Sequence, residues 1–333
     1  MRAKITFALW LVASGCFSDK SFVLIDRELT VNEWPAEDSA ATTGTDSGSS
    51  SSPDDSGSSS GFVEPEGMVF MPGGTFNMGC TPGQEASGEC IEDEFPVHAV
   101  TLTHDFWIGE HEVTQGEFNA LMGFNPSEFP TCGDDCPAEC LTWYAAAAYA
   151  NERSVLEGRQ PCYTCEGTGT GWGGGECRLE SNVVCEPAMD PYECSGYRLS
   201  TEAEWEYSAR CGSDYLYSGS DDALAVSWAT ETSGGFTHPV GQLPPNDCGL
   251  YDMSGNVFEW NHDWYGFNYY GITPEADPTG PTSGAFRSCR GGGWRHTVDD
   301  GHGHLRVAAR INRPPTLRDR GLGLRLVLTH PSE

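Results

Sequence analysis

Fourteen cysteines spread over 333 residues restrict this chain before any secondary structure is considered. Reduced cytosolic proteins seldom carry so many thiols outside metal clusters, so the count places folding in an oxidising compartment. Cys80 with Cys90, Cys132 with Cys136, and Cys211 with Cys248 are near enough in sequence to pair locally. Cys162, Cys165, Cys177, Cys185 and Cys194 crowd a glycine-rich insertion, GTGTGWGGGEC, that has no apolar periodicity to fold it. Cross-links would hold it, each contributing roughly 2 to 4 kcal/mol. Cys162-x-x-Cys165 also suits a redox or zinc site, although no second CxxC follows at zinc-ribbon spacing.

Residues 1–16 read MRAKITFALWLVASGC: a basic start, a short apolar run, then small residues. The run is shorter than the roughly 20 residues that a membrane-crossing helix needs. Ala13-Ser14-Gly15-Cys16 resembles a bacterial lipobox, in which Cys16 is lipidated; the other reading is a cleaved signal peptide with an incidental cysteine. Lipidation would leave thirteen cysteines, so at least one would be free or joined to another molecule. Residues 17–61 end in a Ser, Gly and Asp-rich stretch with little to bury, expected to be a flexible tether. One globular domain fits residues 62–333.

Acidic side chains number 49 against 18 basic ones, a formal net charge of −31. Such a chain repels a phosphate backbone, which argues against nucleic acid as a partner and leaves the membrane to a lipid anchor alone. With 38% hydrophobic residues the domain has material for a core, while 41 Gly and 21 Pro favour a loop-rich fold over a helical bundle.

Val69–Gly79 begins apolar, meets Pro72-Gly73-Gly74 and returns with alternating apolar residues, which predicts a hairpin. Residues 97–108, VHAVTLTHDFWI, predict a second strand region. Thr114-x-x-Glu117 is a capping box ahead of a helix to Met122, and Thr201-x-x-Glu204 opens another with Trp205 and Ala209 on one face. Thr142 precedes WYAAAAYANERS, predicting a helix over 143–155.

The blocks MVFMPGGTFNMG, FPVHAVTLTHDFWIGEHEVTQGEFNALMG, YRLSTEAEWEYSAR, GLYDMSGNVFEW, RGGGW and GLGLRLV, in this order, resemble the sulfatase-modifying-factor, or formylglycine-generating enzyme, family. The resemblance covers nearly all of residues 67–328. It implies an α+β domain of the C-type-lectin-like superfold, with little regular secondary structure and a surface cleft. Active members oxidise a cysteine of an unfolded sulfatase to formylglycine with oxygen and a copper ion held by two Cys thiolates.

Those thiolates are missing. The segment reads RGGGWRHTVDDGHGHLRVAAR; His296 stands at the first family Cys position, His302 at or beside the second, and Gly293 replaces the family Ser. Imidazoles favour a more oxidised metal than thiolates do and cannot exchange with a substrate thiol. Copper is therefore not expected, and Cys289 lies on the other side of the glycine turn. His296, His302 and His304 suit a transition metal with Asp299 or Asp300, or else form a solvated polar loop.

The resemblance further implies a structural calcium ion held by the Asp252 and Glu259 side chains and the Gly255 and Val257 carbonyls. The residues alone read equally as a capped turn. A second family calcium site is eroded, with Val226 at its Asn position ahead of Trp228. The expected protein is an exported lipoprotein of the outer membrane or cell surface. Its domain would bind an unidentified protein or peptide through a cleft near Trp294, His296, Arg306 and Arg310. The alternatives are an active oxidoreductase of the family or one with its metal on the three histidines.

Overall fold

Pro72 and Gly73 end the first apolar run, and the chain beyond them does not fold back on it. The structure, a computed structural model, describes residues 64–330 apart from 87, 89, 168–176, 178–182 and 299–302. Cys16 and the tether expected over 17–61 lie outside these residues, as do Asp299, Asp300 and His302. β1 (Met68–Met71) and β2 (Gly74–Met78) both form, but the expected hairpin does not. β2 pairs with β3 (His98–Leu102), and β1 with β4 (Phe106–Gly109). The correction has a local cause. A Cβ at Gly73 would stand 2.8 Å from the Leu102 carbonyl oxygen, and the Gly73 N–H donates to Asp105 Oδ1 at 2.8 Å, so the chain is drawn across to β3. The single strand region expected at 97–108 is likewise two strands. The Thr103 N–H between them donates to Asp277 Oδ1 instead of a neighbouring strand.

The remaining strands are β5 (Tyr163–Glu166), β6 (Val184–Pro187), β7 (Tyr197–Leu199), β8 (Phe258–Trp264), β9 (Arg287–Arg290), β10 (Ile311–Arg313), β11 (Leu322–Gly323) and β12 (Leu326–Thr329). One sheet has the order β1-β4-β12-β7 and the other β10-β9-β8-β11; β2-β3 and β5-β6 are separate pairs. The helices begin where their caps predict. Thr114 and Thr201 both complete capping boxes, for Gln115–Met122 and Glu202–Arg210, and Thr142 caps Trp143–Leu156. Gly123 ends the first of these in the left-handed region, at φ +81°. Trp205 and Ala209 are fully buried on one face of the Glu202–Arg210 helix, as expected.

No lysine follows Lys20 in the sequence. The positive charge of the domain is arginine, and seven arginines are buried: Arg198, Arg210, Arg287, Arg290, Arg306, Arg310 and Arg325. A planar guanidinium meets a carboxylate through two hydrogen bonds at once, which suits it to such positions better than an ammonium. Arg198 grips Glu204 with both terminal nitrogens at 2.7 Å. Arg290 joins Glu206 and Glu202, while Arg287 lies over the Trp143 and Trp264 rings at 3.8 and 3.6 Å.

Six disulfides form among the described cysteines. The three local pairs, Cys80–Cys90, Cys132–Cys136 and Cys211–Cys248, are as expected. Cys140–Cys177, Cys162–Cys194 and Cys165–Cys185 hold the insertion. Cys162 and Cys165 thus pair with different partners, which removes the redox or zinc reading of that CxxC. In the chain-entropy account a bridge between residues 37 apart contributes roughly 4 kcal/mol, and one between residues 4 apart roughly 2.

Candidate functional site

After β9 the chain turns through Gly291 and Gly292, both at positive φ. At Gly292 a Cβ would stand 2.7 Å from Leu305 Cδ2, so only glycine lets the two segments close up. The Gly255 N–H donates to the Gly291 carbonyl at 2.7 Å and the Trp294 N–H to the Asn256 carbonyl at 2.8 Å, which ties this turn to the GLYDMSGNVFEW segment. The Trp294 indole donates to the Arg320 carbonyl, and its ring meets Phe129 edge-on at 5.4 Å.

His296 and His304 come together, their ring centroids 4.7 Å apart and both edge-on to Phe258. The His296 backbone is fixed too, its carbonyl accepting from the Thr230 N–H. No thiol pair stands beside them among the described residues. Cys289 is the free cysteine there, buried in the same core cluster as Trp143 and Trp260, where burial pushes its thiol well above the ordinary value. Among the described residues, three metal-competent side-chain atoms gather within 4.8 Å only at Cys80, Cys90 and Glu94 and at Glu128, Cys140 and Cys177. The sulfurs in both groups are already in disulfides.

Two residues expected at a cleft are elsewhere. Arg306 is buried against Glu94 through bonds of 2.9 and 2.5 Å, and Arg310 against Glu202 through bonds of 2.7 and 2.8 Å with the Tyr270 ring 4.0 Å away. They brace the core and are closed to a ligand. Val226, at the eroded calcium position, is a buried apolar residue.

A groove of about 390 Å³ opens instead beside Phe129, lined by Thr131, Cys132, Phe236, Thr237, His238 and Pro239. His238 stacks flat on Trp228 at 3.8 Å, and Phe236, 47% exposed, stacks on His238 at 5.3 Å. Asn256 holds the His238 backbone from both sides, accepting from its N–H and donating to its carbonyl. Behind Phe129 lies Glu139. Its Oε1 accepts from the Phe129 N–H, its Oε2 has no hydrogen-bond partner, and burial pushes its carboxyl up to about 8. Apart from Cys132, named only for its disulfide, these groove residues did not stand out in the sequence, because they come from loops about 100 residues apart.

The turn matched to the family's calcium segment is also charged. Asp252 adopts a positive φ of 56° and is buried; its Oδ2 accepts from the Gly241 N–H and its Oδ1 has no partner. Both Glu259 oxygens are committed, to Arg325 at 2.7 to 3.0 Å and to the Trp205 indole at 2.7 Å. Glu112, which sequence reasoning passed over, is fully buried and makes only 3.4 Å contacts, to Asn256 and the Val257 N–H. Burial first, then the Asp252 charge, pushes Glu112 well above the carboxylate range. Three carboxyls share one guanidinium here, and the orphaned Asp252 Oδ1 with unsaturated Glu112 fits a hard cation.

A loop-rich α+β domain with these blocks and these turns is of the formylglycine-generating-enzyme type. The chain belongs to the sulfatase-modifying-factor family, matching the model described as "Sulfatase-modifying factor enzyme 1-like domain" over residues 56–330. It is 35% identical over 244 residues to the "Chaperone protein LppX" of Paenibacillus barcinonensis, a match covering 67% of this chain and 78% of that one. It is 32% identical to the formylglycine-generating enzyme of Streptomyces coelicolor, over 78% of this chain and 88% of the relative. Among solved structures, Treponema denticola variable protein 1 superposes with a TM-score of 0.65 at 31% identity, over 78% of this chain and 94% of that one. The fold is accordingly the C-type-lectin-like fold expected. The six disulfides mark an extracellular or envelope protein, and no helix among the described residues is long and apolar enough to cross a membrane.

Proposed function

We propose that this chain is an exported lipoprotein, anchored through Cys16, whose domain binds a protein or peptide partner as an accessory module and does not perform copper-dependent cysteine oxidation. One observation carries the reading. Where the family's first copper thiolate is expected stands His296, packed on Phe258 and His304, while the described cysteines are tied into six disulfides or, as Cys289, sealed in the core. Imidazole neither binds Cu(I) as a thiolate pair does nor exchanges with a substrate thiol. The aromatic groove next to Trp294 is the surface offered to a partner, and the chaperone name of one relative agrees with an accessory role. The test is copper titration under oxygen with a cysteine-containing sulfatase peptide. The peptide thiol should survive unchanged; formylglycine turnover overturns the reading.

A second reading is favoured by the 4.7 Å approach of His296 and His304. An oxidoreductase would then hold its metal on these rings with His302. Metal analysis of the wild type against His296→Ala and His304→Ala decides it, since equal metal content in all three removes the idea. Calcium is also proposed, at Asp252 and the Gly255 and Val257 carbonyls. Glu112 would take the role that Arg325 denies to Glu259, and the ion would stiffen the turn that holds His238.

A further inference from the structure

The Cys132–Cys136 bridge differs from the other five in two ways that bear on chemistry. Its residues are 4 apart in sequence, against 10 to 37 elsewhere, so the fold depends on it least. Cys132, half-buried, also lines the groove with Phe129, Phe236 and His238, which no other described bridge cysteine does. Cys132 is the sulfur that a thiol entering the groove can reach.

His238 supplies a base in the same groove. Its Nε2 lies 2.7 Å from the Ser233 carbonyl oxygen, which can only accept, so Nε2 carries the proton and Nδ1 holds the lone pair of the neutral ring. Trp228 stacks on the ring, and two Asn256 bonds hold the His238 backbone. Its ring contacts among the described residues are Trp228, Phe236 and the Ser233 carbonyl; the carboxyl joined to this network is Glu112, through Asn256. Cys132 Sγ stands 3.1 Å from the Thr237 carbonyl oxygen, a contact that seats it against the groove segment carrying His238.

We infer that the Cys132–Cys136 bridge is exchange-active and captures a cysteine-bearing polypeptide as a mixed disulfide on Cys132. The incoming thiol gives its proton to His238 Nδ1, and its sulfur bonds to Cys132 Sγ. The Cys132–Cys136 bond breaks with its electron pair leaving on Cys136 as thiolate. The domain disulfide is reduced as the partner thiol is oxidised, so no other oxidant or reductant enters, and the Cys136 thiolate can reverse the step to release the partner. The inference rests on the proposed binding role for its polypeptide partner, but its chemistry is measured with a small thiol and fails separately.

The probe is glutathione, added in increasing excess to the full-length oxidised protein, with acid quenching, alkylation and peptide mass mapping. Glutathione should appear on Cys132 about tenfold faster than any other bridge opens. His238→Gln should slow that adduct about tenfold near neutral pH, with the gap closing at pH 9, where thiols ionise unaided. Cys132→Ala combined with Cys136→Ala should keep the other five bridges and lose the adduct. First adduct formation at another bridge, attachment to Cys136, or a pH–rate profile unmoved by His238→Gln overturns the inference. The wild-type map alone decides it if a variant does not fold.

Discussion

Glu202 and Glu139 are both carboxyl groups almost wholly removed from water, yet at neutral pH one is ionised and the other is held protonated. Burial alone would raise Glu202, but Arg310 and Arg290 outweigh it and bring its carboxyl down to about 2. Glu139 accepts from backbone N–H groups such as that of Phe129 and meets no guanidinium among the described residues, and burial lifts it to about 8. The same residue type in the same kind of interior is ionised or neutral according to whether a guanidinium is within reach. Around the helix Glu202–Arg210 the buried arginines saturate the acids and make a frame. Around Phe129 and the Asp252 turn the arginines run out, and groups are left able to accept a proton or a cation.

The comparison breaks most sharply at Arg310. Arg310→Ala leaves Glu202 buried beside Arg290 alone and should cost about 3 to 5 kcal/mol in chemical denaturation at pH 7. Next comes Glu139→Gln, read by denaturation across pH. The folded carboxyl titrates above its unfolded value, so the folded state binds the extra proton between pH 4.5 and about 8 and loses stability as pH rises through that window. The amide should therefore be more stable than wild type by roughly 2 to 4 kcal/mol at pH 9 and nearly equal to it at pH 4. Glu202 has the opposite sign: its contribution is present above pH 4.5 and is lost as pH falls toward 2. The smallest effect is at the turn. Adding calcium should raise stability by about 2 kcal/mol, and chelation should reverse this. Asp252→Asn should abolish the response; an unchanged melting curve with and without the ion sinks the calcium proposal.

The helices were legible because Thr114, Thr142 and Thr201 act within one turn of themselves. The Val69–Gly79 hairpin was not, since its two halves answer to Ile108 and Val100, partners that no local pattern reveals. Short-range disulfides were readable; Cys140–Cys177 and the nested pairs Cys162–Cys194 and Cys165–Cys185 depend on the folded loop path. Arg306 and Arg310 were expected in the cleft that the family resemblance implies, but the fold turns them inward onto Glu94 and Glu202. The absence of lysine beyond Lys20 was the available signal that these cations have interior work. Glu112 sat unnoticed in the HEVT block for the same reason, because only the fold sets it against Asp252.

That substitution of arginine for lysine has a practical outcome on the outside of the molecule. Trypsin-like proteases cut after basic residues, and seven arginines of the folded domain are shut away inside. Amine-directed labels and aldehyde crosslinkers likewise find no ε-amino group anywhere beyond Lys20. Tryptic nicking of the folded unit is thereby confined to the arginines left outside, such as Arg295 and Arg320, and chemistry aimed at primary amines will mark the leading segment while leaving the domain side chains untouched.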